Sequence, residues 1–485
     1  MAEALSSHYN VKIIGFTFEQ LGSQIWEPLR EGPIPVISYH GDNYPDFDRF
    51  LQTLAPTIES DIILVCKPRM PSLQLGLLMK KFWNRPLILD IDDYEQAFFN
   101  DRAKYQVKDL KKPYSRIWTD MAETLIPCAD HILVSNHTLQ EKYGGTVIPH
   151  ARNEQIFNPD LYSGTERRKE LGISEDDKII LFLGSPRRHK GLFELLKAIK
   201  ACGDARYKLC IMGAFNDKDL EEELYSLGEE HLLTFSNQPF ENAAKNMSIA
   251  DLVCLLQDPD DEISNYQLPA KAVDAIAMGV PVLAFRVPPL EPLISQGLII
   301  PTTRESLAPD IDRLLKNSTE FKAKQLAGRE VFLNEYSYSA ISQKMDQVIK
   351  ASMQNPVEIP ENVFAFFDLT KKIFEEYLRT DDLSTRFKKK KQEYKDKLQK
   401  KEATVENLKA SLENSRKEND RLMRTLAEIQ NSSSWKITIP LRLASYYTSR
   451  LLGKKNRYSL EQILGKKPLY PLNGSTNRQH DSDKD

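Results

Sequence analysis

The feature that most constrains this chain is an alternation that runs, stops and starts again. Short β-rich runs at residues 11–16, 35–39, 61–67, 86–91, 131–135 and 147–149 are separated by stretches whose apolar residues recur at spacings of three and four. Among these stretches are SLQLGLLMKKFW from Ser72 to Trp83 and YSRIWTDMAETLIPC from Tyr114 to Cys128. Strands of this kind, joined by amphipathic helices, bury both faces only in a parallel sheet with crossover helices. The polar stretch ARNEQIFNPDLYSGTERRKE, with Pro159 and Gly164, interrupts the pattern. It then resumes with KIILFLG (178–184), GLFELLKAIKA, YKLCIMG, DLVCLL and GVPVLAF. The pattern predicts an α/β fold of two Rossmann-like domains, over residues 1–160 and 161–355, whose facing C-terminal strand ends form a cleft.

Beyond residue 355 the composition changes. Residues 383–430 contain no Pro or Gly and carry Phe387, Tyr394, Leu398, Val405, Leu408, Leu412, Leu422, Leu426 and Ile429 at alternating spacings of three and four. This predicts a helix and coiled coil over 360–431, hence a coiled-coil oligomer, with a solvated single helix as the alternative. Residues 432–485 read as a basic amphipathic tail and a polar end. Between Ile429 and Leu460 lie six basic residues and no acidic one.

With 66 Lys and Arg against 69 Asp and Glu, the chain as a whole gives no reason to expect nucleic acid as a partner. The five cysteines are scattered, without metal-ligand spacing, and three fall in apolar runs, so reduced, buried thiols in a cytosolic protein are expected. The start MAEALSSHYN has no basic n-region or apolar h-region, and no apolar run is long enough for a span. The expectation is therefore a cytoplasmic protein without signal peptide or membrane helix.

Two segments carry the chemistry. In LGSPRRHKGLFELLKAI a strand ends at Gly184 and a helix begins near Gly191, so Arg187, Arg188 and Lys190 crowd the positive end of a helix dipole. That arrangement costs about 0.3–1 kcal/mol per charge unless an anion is present, and a diphosphate would reverse the sign. The alternative is three solvated surface charges. In SNYQLPAKAVDAIAMGVPVLAF, a helix from Ala270 to Met278 is apolar nearly all round, yet Lys271 and Asp274 share one face. Either they form an internal pair on the helix's only solvated face, or that face is a cleft wall on which Asp274 accepts from a sugar diol.

These two segments, in this order, resemble the second domain of GT-B glycosyltransferases of family 4, the glycosyl transferases group 1. ADHILVSNHTLQEKYGGTVIPHARNEQIFNP resembles that family's transition between domains, and NRPLILDIDDYE its first-domain strand on the acceptor side. The resemblance implies that Lys190 grips the donor diphosphate and that Asp274, standing where the family has Glu, holds the nucleotide ribose. Ser185 stands at the family's Arg position, so Arg187 or Arg188 must supply the second positive charge. Tyr266 stands at the family's earlier Glu. The expected donor-binding set is Ser185, Arg188, Tyr266, Lys271 and Asp274, with Lys190 and Arg187 neutralising the departing diphosphate.

The Asp90-Ile-Asp92-Asp93 run contains an Asp-x-Asp pair, which can hold a metal in another glycosyltransferase fold. Because basic residues are supplied for the diphosphate elsewhere, no metal and no cofactor are expected here. Asp93 is instead assigned to the cleft, orienting or deprotonating an acceptor hydroxyl, with helix capping by the Asp pair as the alternative. His150, at the domain junction, is read as structural.

NSSSWKITIPLR resembles an element that follows coiled coils in bacterial surface-polysaccharide glycosyltransferases. Trp435 to Arg457 would suit an anionic bilayer, or else pack on another protein. The implied activity is transfer of a sugar from a nucleotide-diphosphate donor to a growing bacterial surface glycan (O-antigen or cell-wall polysaccharide) or its lipid-linked form, retaining and metal-independent, at the inner face of the cell membrane. The departures at Ser185 and Tyr266 leave a non-catalytic scaffold of a polysaccharide-assembly complex open. An epimerase or phosphorylase on the same fold is the third reading.

Overall fold

The computed structural model describes residues 1–99, 107–236, 238–317, 327–354, 356–361, 363–365, 367–368, 372, 376, 411–415, 417–418, 439–453 and 459. The chain divides into two compact units. The larger comprises 1–41, 59–102 and 129–356, and the smaller 42–58, 103–128 and 357–485. The larger unit contains all twelve strands of the described residues.

In its first half, β1 (Ile13–Thr17) and β2 (Val36–His40) form a parallel pair. A separate four-stranded sheet runs β3 (Ile63–Cys66), β4 (Leu87–Ile91), β5 (His131–Val134) and β6 (Thr146–Val147), all parallel. Every expected strand is present with ends within two residues, although β1 and β2 are not continuous with the rest. Leu87, Ile88, Leu89 and Ile91 are all 0% exposed, as a strand covered on both faces requires.

The second half is one six-stranded parallel sheet. Its strands are β7 (Lys178–Leu183), β8 (Tyr207–Met212), β9 (Leu232–Phe235), β10 (Leu252–Leu255), β11 (Val282–Phe285) and β12 (Ile300–Thr302), in the order β12-β11-β10-β7-β8-β9. Ile180 sits between Leu209 and Leu252 in register. Alternate side chains of β7 feed two cores. Ile180 and Phe182 pack with Leu192, Leu195, Leu196 and Ile199 of the helix Leu192–Ala201, while Ile179 and Leu181 pack with Ala272, Val273 and Ile276 of the helix Ala270–Ala277. β9 and β12, the two edges, were not expected. Both are short, and an edge strand gains its hydrogen bonds from a neighbour rather than from an apolar repeat of its own.

The strand order reverses between β7 and β10, which opens a crevice at their C-terminal ends. Gly191 draws the loop after β7 onto that crevice. Its φ is +69°, and a Cβ there would lie 2.6 Å from Leu256, so only glycine permits the approach. After the second sheet the helix Tyr338–Gln354 returns to the first. Ile341, Met345, Val348 and Ile349 join Leu5, Ile88, Leu133 and Ile148 in one buried cluster.

In the smaller unit lie the helices Asp46–Leu54, Arg116–Leu125 and Ile439–Leu451. Tyr44 packs against Trp118 at 4.6 Å between ring centroids, and Val363 and Phe367 are buried. The expected seam at 383–430 lies outside the described residues apart from 411–415 and 417–418, and Trp435 lies outside them too. No helix among the described residues is long and apolar enough to cross a membrane.

Candidate active site

The basic wall of the crevice is built by the segment that follows β7. Ser185 and Arg187 are exposed, a 3-10 turn spans Arg188–Lys190, and the helix Leu192–Ala201 begins directly behind Gly191. Lys190 turns inward, and its Nζ donates to Gln267 Oε1 at 3.1 Å. Burial lowers its pKa, and the nearby Arg187 charge lowers it further. Lys271, on the first turn of the helix Ala270–Ala277, sets its ammonium 4.3 Å from the centroid of Phe182. Burial, then Lys190, pushes its pKa down to about 8 against a nearby Asp274 carboxylate that favours the charge. Among the described residues none of Arg187, Lys190 and Lys271 makes an ion pair.

Arg188, unlike Arg187 and Lys190, is paired. Its guanidinium forks onto Glu223, at 2.9 and 3.0 Å, and reaches Asp217 at 3.1 Å. Glu223, on the helix Lys218–Gly228, satisfies the planar fork with both of its oxygens, so in this structure Arg188 is engaged by carboxylates rather than left for an anion.

The opposite wall comes from the ends of β3 and β4. Lys67, directly after β3, adopts a left-handed φ of +68°. Its Nζ lies 3.1 Å from Asp92, 2.9 Å from Asp93 and 2.9 Å from Glu95. Arg69 Nε closes on the second oxygen of Glu95, which is 2% exposed. Burial favours the neutral amine of Lys67, but Asp92, Glu95 and Asp93 outweigh it and hold the ammonium above its ordinary range. Burial with Asp92 pushes Asp90 up to about 7. The ligand atoms of Asp92, Asp93 and Glu95 lie within 4.8 Å of one another, close enough to share a metal ion, yet the cation they share is the Lys67 ammonium.

The same contacts occupy Asp93, the residue expected to orient or deprotonate an acceptor hydroxyl. One oxygen takes Lys67 and the other accepts from Gln267 Nε2 at 2.9 Å. Burial raises its pKa, but Lys67 and Gln267 outweigh burial and hold the carboxyl below its usual range. Such a group is a weak base and a firm anchor.

Asp274 is likewise not open to a diol. It is 5% exposed, and its Oδ1 lies 2.5 Å from Arg152 Nε without hydrogen-bond alignment, while Oδ2 accepts from Arg152 Nη2 at 3.4 Å. Tyr266 contributes its carbonyl to Asn136 Nδ2 at 2.8 Å and its ring edge-on to Tyr94 at 4.9 Å, with Lys142 Nζ 5.4 Å above it. His150 lies near Asp93, Asp274 and Arg152. Burial, then Arg152, pushes its pKa to about 4, so it is neutral at pH 7.

Residues 163–329 match the family model for glycosyl transferases group 1. The second domain belongs to that family. The chain is 27% identical over 198 residues to an uncharacterized glycosyltransferase of Methanocaldococcus jannaschii, covering 39% of this chain and 48% of the relative. It is 24% identical over 200 residues to the lipopolysaccharide 1,2-N-acetylglucosaminetransferase of Salmonella typhimurium, covering 38% of this chain and 51% of the relative. The chain thus spans about half the length of these relatives. Among solved structures, Anabaena HepE in complex with UDP and glucose superposes with a TM-score of 0.53 at 15% identity, over 70% of this chain and 99% of that one. The group 1 domain therefore sits in a GT-B fold, with the cation cluster at the strand reversal of its sheet.

Proposed function

We propose that this protein is a glycosyltransferase that takes a sugar from a nucleotide-diphosphate donor to a bacterial surface glycan or its lipid-linked form. One observation carries the reading. Arg187, Lys190 and Lys271 meet at the C-terminal end of β7 with no ion-pair partner among the described residues; burial and the Arg187 charge lower the Lys190 pKa, and burial with Lys190 and Arg187 lowers that of Lys271. Clustered cations of this kind call for an anion, and a diphosphate at a helix N-terminus satisfies all three.

Catalysis is then positioning and electrostatics. Lys190 and Arg187 neutralise the charge that develops on the leaving diphosphate, and a phosphate oxygen can take the acceptor's proton. Retention is what the family resemblance implies. Metal independence is supported by Lys67, which occupies the centre of the acidic triad. The polysaccharide acceptor is supported by similarity to the Salmonella lipopolysaccharide transferase. The basic tail would hold the enzyme at an anionic bilayer, where a lipid-linked acceptor resides.

A second reading, a non-catalytic scaffold of a polysaccharide-assembly complex, is favoured by the closure of Asp274, the expected ribose ligand, on Arg152. Calorimetric titration with UDP, GDP, ADP and dTDP, followed by transfer assays with the matching nucleotide sugars and a lipid-linked acceptor, separates the two. Binding with transfer supports the enzyme, and binding without transfer supports the second reading. No binding of any nucleotide diphosphate would overturn the transferase and leave the scaffold.

A further inference from the structure

We infer that Gln267, held by Asp93, is the positioning residue that sets the Lys190 ammonium in the crevice, so that the first half of the chain aims the phosphate-binding lysine of the second. This rests on the reading that Lys190 grips the donor diphosphate.

The geometry is a continuous chain. Lys190 Nζ donates to Gln267 Oε1 at 3.1 Å, and Gln267 Nε2 donates to Asp93 Oδ1 at 2.9 Å. Asp93 Oδ2 takes Lys67 Nζ at 2.9 Å, and Lys67 is fixed by Asp92 and Glu95, the latter clamped by Arg69. Partners dictate the orientation of the amide. Turned over, its NH2 would face an ammonium and its oxygen a carboxylate, so both contacts would become repulsive. Gln267 therefore has one orientation, and Lys190 has one acceptor in a definite place.

Gln267 does a task that a carboxylate in its place would spoil. A glutamate would face Asp93 across a hydrogen-bond distance and would neutralise Lys190, competing with the diphosphate. An amide holds the lysine through a neutral oxygen and leaves its positive charge for the donor. The hydrogen-bond chain joins residues 174 apart in sequence, from the end of β4 to the segment before the helix Ala270–Ala277.

The test is a double-mutant cycle on UDP affinity, measured by calorimetry with Lys190→Ala, Gln267→Met and the pair. Gln267→Met keeps the side-chain length and leaves the Asp93–Lys67 contact intact. Alone it should weaken UDP binding about tenfold, the scale of one hydrogen bond to a charged group. In the Lys190→Ala background it should have no further effect. Equal losses in both backgrounds, or no loss in either, would overturn the inference while leaving the diphosphate reading intact. Full UDP affinity in Lys190→Ala alone would instead sink the diphosphate reading. A spectroscopic signature guards against a merely structural effect. The Lys190 side-chain NMR resonance, assigned by its loss in Lys190→Ala, should shift in donor-free Gln267→Met and in Asp93→Asn alike, and an unmoved resonance counts against the positioning role.

Discussion

At the residue scale, the crevice contrasts charges that are paired with charges that are not. Arg188 is satisfied by Glu223 and Asp217, whereas Lys190 rests on a neutral amide. Lys190→Ala should therefore lower the transfer rate roughly 10²- to 10³-fold and weaken UDP binding with the fold intact, as loss of one preorganised charge-stabilising donor does. Arg188→Ala should leave UDP affinity unchanged. Parallel titrations of the two variants check both outcomes. Lys271 gives a pH dependence whose sign is definite. Its pKa in the folded protein is about 8, below the ordinary 10.5, so the unfolded chain holds the proton longer and folding stability from this group rises with pH between those values. UDP reverses that preference by favouring the ammonium. Its affinity should fall as pH rises above about 8, with proton uptake on binding. Calorimetry in buffers of different ionisation enthalpy detects the uptake, and Lys271→Met should abolish it.

At the element scale, what was legible in the sequence was what local pattern encodes. The strand, basic loop and helix from Lys178 to Ala201 follow from adjacent residues, as does the buried helix Ala270–Ala277. The partners of its charged groups do not. Arg152 meets Asp274 across 122 positions, and Gln267 meets Asp93 across 174, distances at which periodicity carries no signal. An arginine in a stretch read as a connection and a glutamine beside the more conspicuous Tyr266 gave no cue by themselves. Lys67 was hidden for a different reason, because a lysine at a strand end reads as a solvated charge until three carboxylates are brought around it. Gly191 is the element-scale test of how tightly the loop is set. Alanine there would bear about 1–2 kcal/mol of left-handed backbone strain. Its Cβ would also meet the Leu256 backbone and Cβ at 2.6 Å, so the loop must shift away from β10. Gly191→Ala should lower both the melting temperature and UDP affinity, read by thermal unfolding and titration. Loss of melting temperature alone would show that the loop's exact path does not matter for the donor.

At the scale of the whole molecule, location should separate from donor binding, and the structure says where to cut. A truncation at residue 355 would remove Val363 and Phe367, which are 2% and 6% exposed, and burial of each such side chain is worth about 1.5–3 kcal/mol. Ending the chain at Asp382 keeps both, together with the returning helix Tyr338–Gln354, so that variant should fold and bind UDP as the full chain does. What it loses is the segment 383–430, expected to form the coiled coil, and the basic tail. The helix Ile439–Leu451 ends on Leu451, 80% exposed, and is followed by Leu452, 64% exposed, within a stretch of six basic residues and no acidic one between Ile429 and Leu460. Apolar side chains beside basic ones suit the surface of an anionic bilayer, where each Lys or Arg contributes about 1 kcal/mol that salt screens. Full-length protein should float with phosphatidylglycerol liposomes at low salt and be released as salt rises, while the chain ending at Asp382 stays in solution under both conditions. Phosphatidylcholine liposomes should recover neither. Equal recovery of the two proteins on phosphatidylglycerol would exclude the tail as the membrane contact. A tail that recruits protein instead would leave both chains in the soluble fraction, with a larger mass for the full-length chain alone in light scattering.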